Sequence, residues 1–455
     1  MPPISSLLRP PFLGAVILFA SLMIANGAES TKNQPADIDL RVAILAPISG
    51  HTSLDNKIAK LQAKVKTTGR AEPIIVQLGW AFVAKARVSS DPGFYKLAQL
   101  CAQAVESEVA DDPDAMLLRG HIAHALHHFS EVEAIGRKLT SETRPGWESF
   151  ALLGDGLMEQ GKLGEAIEAY QHMVDIRPCM QTYARVAHVR WLKGDLEGAT
   201  ELMTTAVEES SERDPEPAAW AYTHLASYQL QSGNTADAER SLNRATDFVP
   251  DYPGALLIRA KLLLSDNESA EALPILERAI QQSPLPEYQW MLADTARIAD
   301  EKKLAAKIED AIRMRGKSED PRSFSLFLAS RHENTKLALE LAQEELNNRR
   351  DVFTYDAVAW AALANGDAAQ AQKNIEHALS EGTVDARLFY HAGQIALANG
   401  EKKIAAEWFA KAVPLKQMLL PSEQADLGAQ LTRLPQSAAI FPALTTEKLA
   451  TTGRN

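Results

Sequence analysis

A turn residue followed five positions later by Ala recurs down this chain. The pairs are Gly161/Ala166, Gly194/Ala199, Gly233/Ala238, Asn267/Ala272, Asp300/Ala305, Glu333/Ala338, Gly366/Ala371 and Gly400/Ala405. The steps between them are 33, 39, 34, 33, 33, 33 and 34 residues. A single compact core has no reason to repeat itself at a fixed interval. A period near 34 means stacked copies of one helix-turn-helix unit, each burying its apolar face against its neighbours. The predicted fold class is therefore all-α, an α-solenoid.

The stretch around Gly161 shows the unit most clearly. Phe150, Leu153, Gly154 and Leu157 form an apolar stripe at helical spacing. Gly161 ends that helix, because glycine takes the left-handed C-cap conformation cheaply. Ala166, Tyr170 and Met173 form a second stripe, and Pro178 stops the second helix. Proline recurs in the same place as Pro250 and Pro284. The order aromatic-x-x-Leu-Gly-x-x-Leu-x-x-x-Gly-x-x-x-x-Ala-x-x-x-Tyr, then Pro, resembles the tetratricopeptide repeat. The resemblance covers roughly 73–413 and implies a right-handed superhelix of about ten repeats. The segment is also similar to a group of long bacterial tetratricopeptide-repeat proteins, a likeness that implies no settled activity. Units 147–178, 180–212, 219–250, 253–284, 352–383 and 386–414 match strongly. Units 286–317 and 319–350 are degenerate, with Asp300 and Glu333 at the turn. Residues 114–145 place Phe129 at the turn with Ala134 in register, and 73–110 carry about seven extra residues between helices. Residues 209–217 (ESSERDPEP) account for the 39-residue step and read as an exposed acidic loop.

The flanks differ from the repeats. Phe12 to Ala25 is an uncharged apolar run, short for a membrane span and suited to an export signal, with small residues after it. Residues 1–28 are expected to be a signal peptide, and 29–53 a linker. The absence of a nearby Cys argues against lipid attachment, so the expected location is periplasmic or extracellular. Residues 54–72 are predicted to form an N-terminal capping helix, with Asp55 at its start and Ile58, Leu61 and Val65 on one face. The solenoid is expected over 73–414, a C-terminal capping helix over 415–435 and a loose tail over 436–455. Cys101 and Cys179 lie about two repeats apart, too far for a disulfide, and are expected to be free thiols.

The composition narrows the function. The formal charge is −12, which argues against a nucleic-acid backbone as the main partner, since such binders need a basic stripe. The chain has no Gly-rich phosphate loop, G-x-S-x-G elbow, H-E-x-x-H or C-x-x-C, so neither catalysis nor a cofactor is expected. One metal-like cluster stands out: His121, His124 and His128 fall at i, i+3 and i+7, alongside His127. Imidazoles at that spacing can bind Zn, Cu or Ni, making a periplasmic metal-binding protein one alternative reading. The competing reading is a structural or pH-sensitive cluster.

The repeat also serves as a ruler. With the turn residue at position 15, packing falls at positions 4, 7, 8 and 11, and the family resemblance implies that positions 2, 5, 9 and 12 line a concave groove. Trp220 is at 2, Trp290 at 5, Trp80 and Trp360 at 9, and Trp191 at 12. Phe353, Tyr390 and Phe327 join them, interleaved with His188, Lys261, Asp294, Arg297, Arg331 and Asp356. Aromatic rings among mixed charges are typical of binding hot spots. The expected role is a non-catalytic scaffold that holds a peptide or partner protein in this groove, with glycan stacking on the same rings as a third possibility.

Overall fold

The computed structural model describes residues 40–434 except 70, 90 and 214. The expected signal peptide, the first part of the linker and the tail lie outside the described residues. A short helix, α1 (Leu40–Ile44), stands within the expected linker and packs on the first repeat. The Gln62 amide holds it by donating to the carbonyls of Ile44 and Ala46 at 2.9 and 2.8 Å. Next comes α2 (Ser53–Thr67), begun by a capping box between Thr52 and Asp55.

Ten antiparallel helix pairs follow among the described residues. The first two are α3 (Glu72–Ser89) with α4 (Gly93–Glu106), and α5 (Pro113–Ala125) with α6 (Phe129–Thr140). Then come α7 (Trp147–Glu159) with α8 (Leu163–Ile176), α9 (Met180–Leu192) with α10 (Leu196–Glu208), and α11 (Pro215–Gln231) with α12 (Thr235–Phe248). The second half has α13 (Pro253–Ser265) with α14 (Ser269–Gln282), α15 (Pro286–Ile298) with α16 (Lys302–Glu319), and α17 (Pro321–Arg331) with α18 (Thr335–Asn348). It finishes with α19 (Val352–Ala364) and α20 (Ala368–Leu379), then α21 (Ala386–Ala398) and α22 (Lys402–Ala412). A 3-10 turn (Val413–Met418) leads into α23 (Pro421–Arg433). First helices touch the first helices of the next repeat, as in α5 on α7, α15 on α17 and α19 on α21, and so form the inner layer. The fold is an all-α helical-repeat solenoid.

Local chemistry explains the starts and stops. Asp112, Asp195, Asp320, Asp351 and Asp367 cap helices by accepting the backbone N–H three residues ahead. Proline opens α5, α13, α15 and α17, where its missing N–H costs nothing. Within a pair, small residues let helices touch: a Cβ on Gly154 would meet the Tyr170 ring at 2.4 Å.

The turn register departs from expectation in two units. In the second repeat the left-handed residue is His127 (φ 61°), while Phe129 is buried and begins α6. Val132, not Ala134, therefore stands five residues after the turn, and the step from His127 to Gly161 restores the 34-residue period. In the eighth repeat the turn uses His332 (φ 52°) and Asn334 (φ 43°), flanking Glu333. Asn, Asp and His tolerate this region best among residues with a side chain, and Asp300 (φ 61°) and Asn267 (φ 64°) occupy it as expected. The extra residues of the first repeat lengthen α3 rather than its loop. Pro215 and its neighbours likewise lengthen α11, leaving a shorter exposed loop over 209–213.

The superhelix closes on itself. The turn of the third repeat meets the loop before the ninth: the Arg350 N–H donates to the Glu159 carbonyl at 2.9 Å, and Arg349 pairs with the Glu159 carboxylate. In the fourth repeat, Lys193 pairs with Glu381 at 2.6 Å, and the Thr383 hydroxyl donates to the Leu192 carbonyl at 2.5 Å. In the fifth, the Gln231 amide donates to the Val384 carbonyl, and Gln417 donates to that of Leu230 at 2.9 Å. Gly161 and Gly194 make this approach possible. A Cβ at either would lie 2.4 Å from the carbonyl oxygen of Arg350 or Gly382.

Candidate functional site

The seam encloses two cavities against the inner layer. The larger, about 410 Å³, lies between the α7–α8 turn and the start of α19, lined in part by Glu159, His188, Arg322, Arg349, Asp351 and Phe353. The smaller, about 200 Å³, is lined in part by Lys261, Trp290, Arg322, Phe353, Asp356 and Arg387. Arg322 and Phe353 border both. Several charges in the walls are paired. Asp351 takes Arg322 and Arg349 at 3.0 Å each. Burial works against its charge, but these two guanidiniums hold its carboxyl below the usual range.

Lys261, Trp290 and Phe353, predicted for the groove, thus meet at one cavity. The other predicted residues are spread along the inner layer and are engaged with the chain itself. Trp191 is half-buried, stacks on Phe353 and donates its indole N–H to Gln231 at 3.0 Å. Trp360 lies flat on His391, ring centroids 4.0 Å apart, with its N–H on Ser330. Tyr390 is buried and donates to Asp426 at 2.9 Å.

Several groove expectations need correction. Trp290 is 3% exposed and Phe327 fully buried, packed edge to face at 5.7 Å. Asp294 is 2% exposed and accepts from Arg331 at 2.6 Å. Arg331 and Arg297 both reach Glu309, at 2.9 and 2.7 Å. These residues are structural, because the degenerate seventh and eighth repeats pack closely enough to bury positions that an open superhelix leaves bare.

The early inner layer is more open. Trp80, His121, His188, Trp220 and His224 are each half-buried. Trp80 lies 5.0 Å from His121, and Trp220 lies 4.1 Å from His224. Asp155 receives Arg185 at 2.8 Å and the Tyr170 hydroxyl at 2.7 Å. Burial pushes His121 down to about 3, with the nearby Arg87 cation adding to it. Burial also takes His224 down to about 3, and His188 lies next to it. Both rings are therefore neutral near pH 7.

The histidine cluster does not converge. The Arg87 guanidinium donates to Nε2 of His121 at 2.7 Å, occupying a ligand position with a cation. His124 meets the edge of Phe129, and His128 faces Glu131 at 3.9 Å. Among the described residues no three His, Cys, Asp or Glu side chains are placed to hold a metal ion. The i, i+3, i+7 spacing fails because the helix ends at Ala125, carrying His128 out of line. Cys101 and Cys179 are both free. Among the described residues no helix is long and apolar enough to cross a membrane.

A family model described as tetratricopeptide repeat matches residues 223–285 and 358–417. No curated protein matches the chain. Among solved structures, human IFIT1 in a dimer with PPP-AAAA is 14% identical with a TM-score of 0.45, covering 72% of this chain and 77% of its own. Cut9 in the Cut9–Hcn1 assembly of APC/C is 13% identical with a TM-score of 0.42, over 83% of this chain and 81% of its own. Yeast Tom70 is 12% identical with a TM-score of 0.36, over 85% and 98%.

Proposed function

We propose that this chain, a tetratricopeptide-repeat protein, is a non-catalytic scaffold that holds a partner protein or peptide on its inner face. The observation that carries this reading is the run of half-buried rings in the early repeats, Trp80, His121, His188, Trp220 and His224. Neutral imidazoles and indoles present flat apolar faces with polar edges, the combination favoured at protein-binding hot spots. The apolar run near the N-terminus supports export as part of this reading, and the N-terminal sequence of the secreted protein checks it.

The test begins with affinity capture from the exported fraction and identification of the partner. Trp80→Ala combined with Trp220→Ala is expected to lower affinity for that partner by 10-fold or more while the helical signal stays unchanged. A doubly substituted protein that binds like wild type removes the inner-face reading.

A further inference from the structure

The N-terminal end of the solenoid carries an unbalanced charge. Residues 40–69 hold five Lys or Arg and one carboxylate, a net of +4 in a chain of −12. That carboxylate, Asp55, is buried and paired with Lys85 at 2.7 Å. On α2 the buried apolar stripe is Ile58, Leu61 and Val65. Lys57, Lys60 and Lys64 fall at i, i+3 and i+7, so they share one side of the helix over about 10 Å, turned away from that stripe. All three are exposed, and none has a carboxylate at ion-pair distance among the described residues. Their exposed neighbours on α2 are Asn56, Ala59, Ala63 and Thr67, which add no carboxylate and no large apolar side chain. Exposed lysines elsewhere differ. On α16, Lys302, Lys303 and Lys307 are interleaved with Glu301 and Asp310, and Lys302 pairs with Asp300 at 3.0 Å.

We propose that this lysine face docks on an anionic lipid surface. Lysine is depleted at protein interfaces, and the face lacks the ring or arginine anchor that a protein partner would need. A row of strongly hydrated point charges instead suits many shallow phosphate headgroups, each lysine near such a surface strengthening attachment about fivefold. Chain length favours the same occupant. The uncharged apolar run from Phe12 to Ala25 precedes α1 by 14 residues, which reach at most about 50 Å when extended, so a bilayer holding that run lies within reach of α2. The lysine face stays on the chain if the run is removed. Attachment is peripheral and reversible, because no apolar group on this face enters the hydrocarbon. Such docking goes beyond the scaffold reading and is independent of what the inner face holds.

The experiment uses the full chain and sedimentation with vesicles of phosphatidylcholine, alone or mixed with phosphatidylglycerol. Wild type is expected to bind the mixed vesicles about 10-fold or more tightly than the neutral ones at low ionic strength, and to lose that preference at high salt. Lys57→Gln/Lys60→Gln/Lys64→Gln keeps helix-favouring polar side chains. It is expected to bind the mixed vesicles about 10-fold or more weakly, with the helical signal unchanged. If it loses helical signal, Lys60→Gln alone serves, with a loss of about 3-fold or more expected. Lys302→Gln/Lys303→Gln/Lys307→Gln removes the same charge from α16 and is expected to bind like wild type. Equal binding of wild type to both vesicles, or a folded α2 variant that binds like wild type, overturns the proposal. An equal loss in the α16 variant overturns it as well, since net charge would then carry the effect. An acidic protein captured through the three lysines while the vesicles are ignored overturns it too, and leaves the scaffold reading standing.

Discussion

The indole of Trp191 lies on the ring of Phe353, centroids 5.7 Å apart and planes 20° apart, although the two belong to the fourth and ninth repeats. This stack packs against an apolar cluster that crosses the seam and joins Leu163 and Leu192 to Val352 and Leu388. Phe353 also borders both cavities. Phe353→Ala is expected to cost about 2 kcal/mol, the range for truncating a partly buried, stacked ring. Hydrogen exchange should show faster opening over 349–353 and 380–384, with the first two repeats unaffected. Equal protection in wild type and variant would show that the stack does not hold the seam.

Glycine substitutions separate the seam from ordinary turns. Gly161, Gly194, Gly233 and Gly400 all have positive φ, but only the first two face a carbonyl across the seam, and nothing lies within 4 Å of the Cβ position at Gly233 or Gly400. Gly233→Ala and Gly400→Ala should each cost about 1 kcal/mol, the backbone penalty alone. Gly161→Ala and Gly194→Ala should cost about 2 kcal/mol more, because the loop opposite must move. Chemical denaturation of the four variants compares them directly.

Asp294 links the seventh repeat to both Arg331 and Ser422 from a buried position. Asp294→Ala leaves Arg331 with Glu309 alone and removes the acceptor for Ser422. Loss of one partner from a buried charge pair costs about 3 kcal/mol. A melting temperature within a degree of wild type would contradict this assignment.

Stability should fall as the pH drops from 7 to 4. His121 and His224 have folded values near 3, well below the ordinary 6.5. Between those limits the unfolded chain binds protons that the folded chain excludes, so acid favours unfolding. The loss is on the order of 1 kcal/mol per histidine by pH 4, allowing for their partial exposure. Replacing His224 with Gln should flatten the urea-midpoint slope over this range. Asp155 and Asp351, held low by arginine partners, add to the loss as the pH falls through the ordinary carboxylate range near 3.8, where the unfolded chain takes up protons that the folded carboxylates still refuse.

Periodicity made the helix pairs legible because each repeat buries its stripe against its immediate neighbours, a local relation that sequence spacing records. It misplaced the turn in the second repeat, where His127 supplies the left-handed residue usually provided by glycine. It also placed Trp290, Phe327 and Asp294 on the inner layer without showing that they would be buried. Burial there depends on the summed rotation of many repeats, and no single 34-residue window contains that sum. The C-terminal capping helix expected over 415–435 begins only at Pro421, because Val413–Met418 first make a 3-10 turn.

An open solenoid can assemble as synthesis proceeds, each repeat adding to the one before. The pairing of Glu159 with Arg349 and of Lys193 with Glu381 denies this chain that freedom. Its third and fourth repeats wait for partners made some 190 residues later, with the entropy of closing that long loop still to be met. Damage in the last two repeats should therefore be felt in the third. The chain should unfold as one cooperative unit over that span, where an unclosed array would fray from its ends.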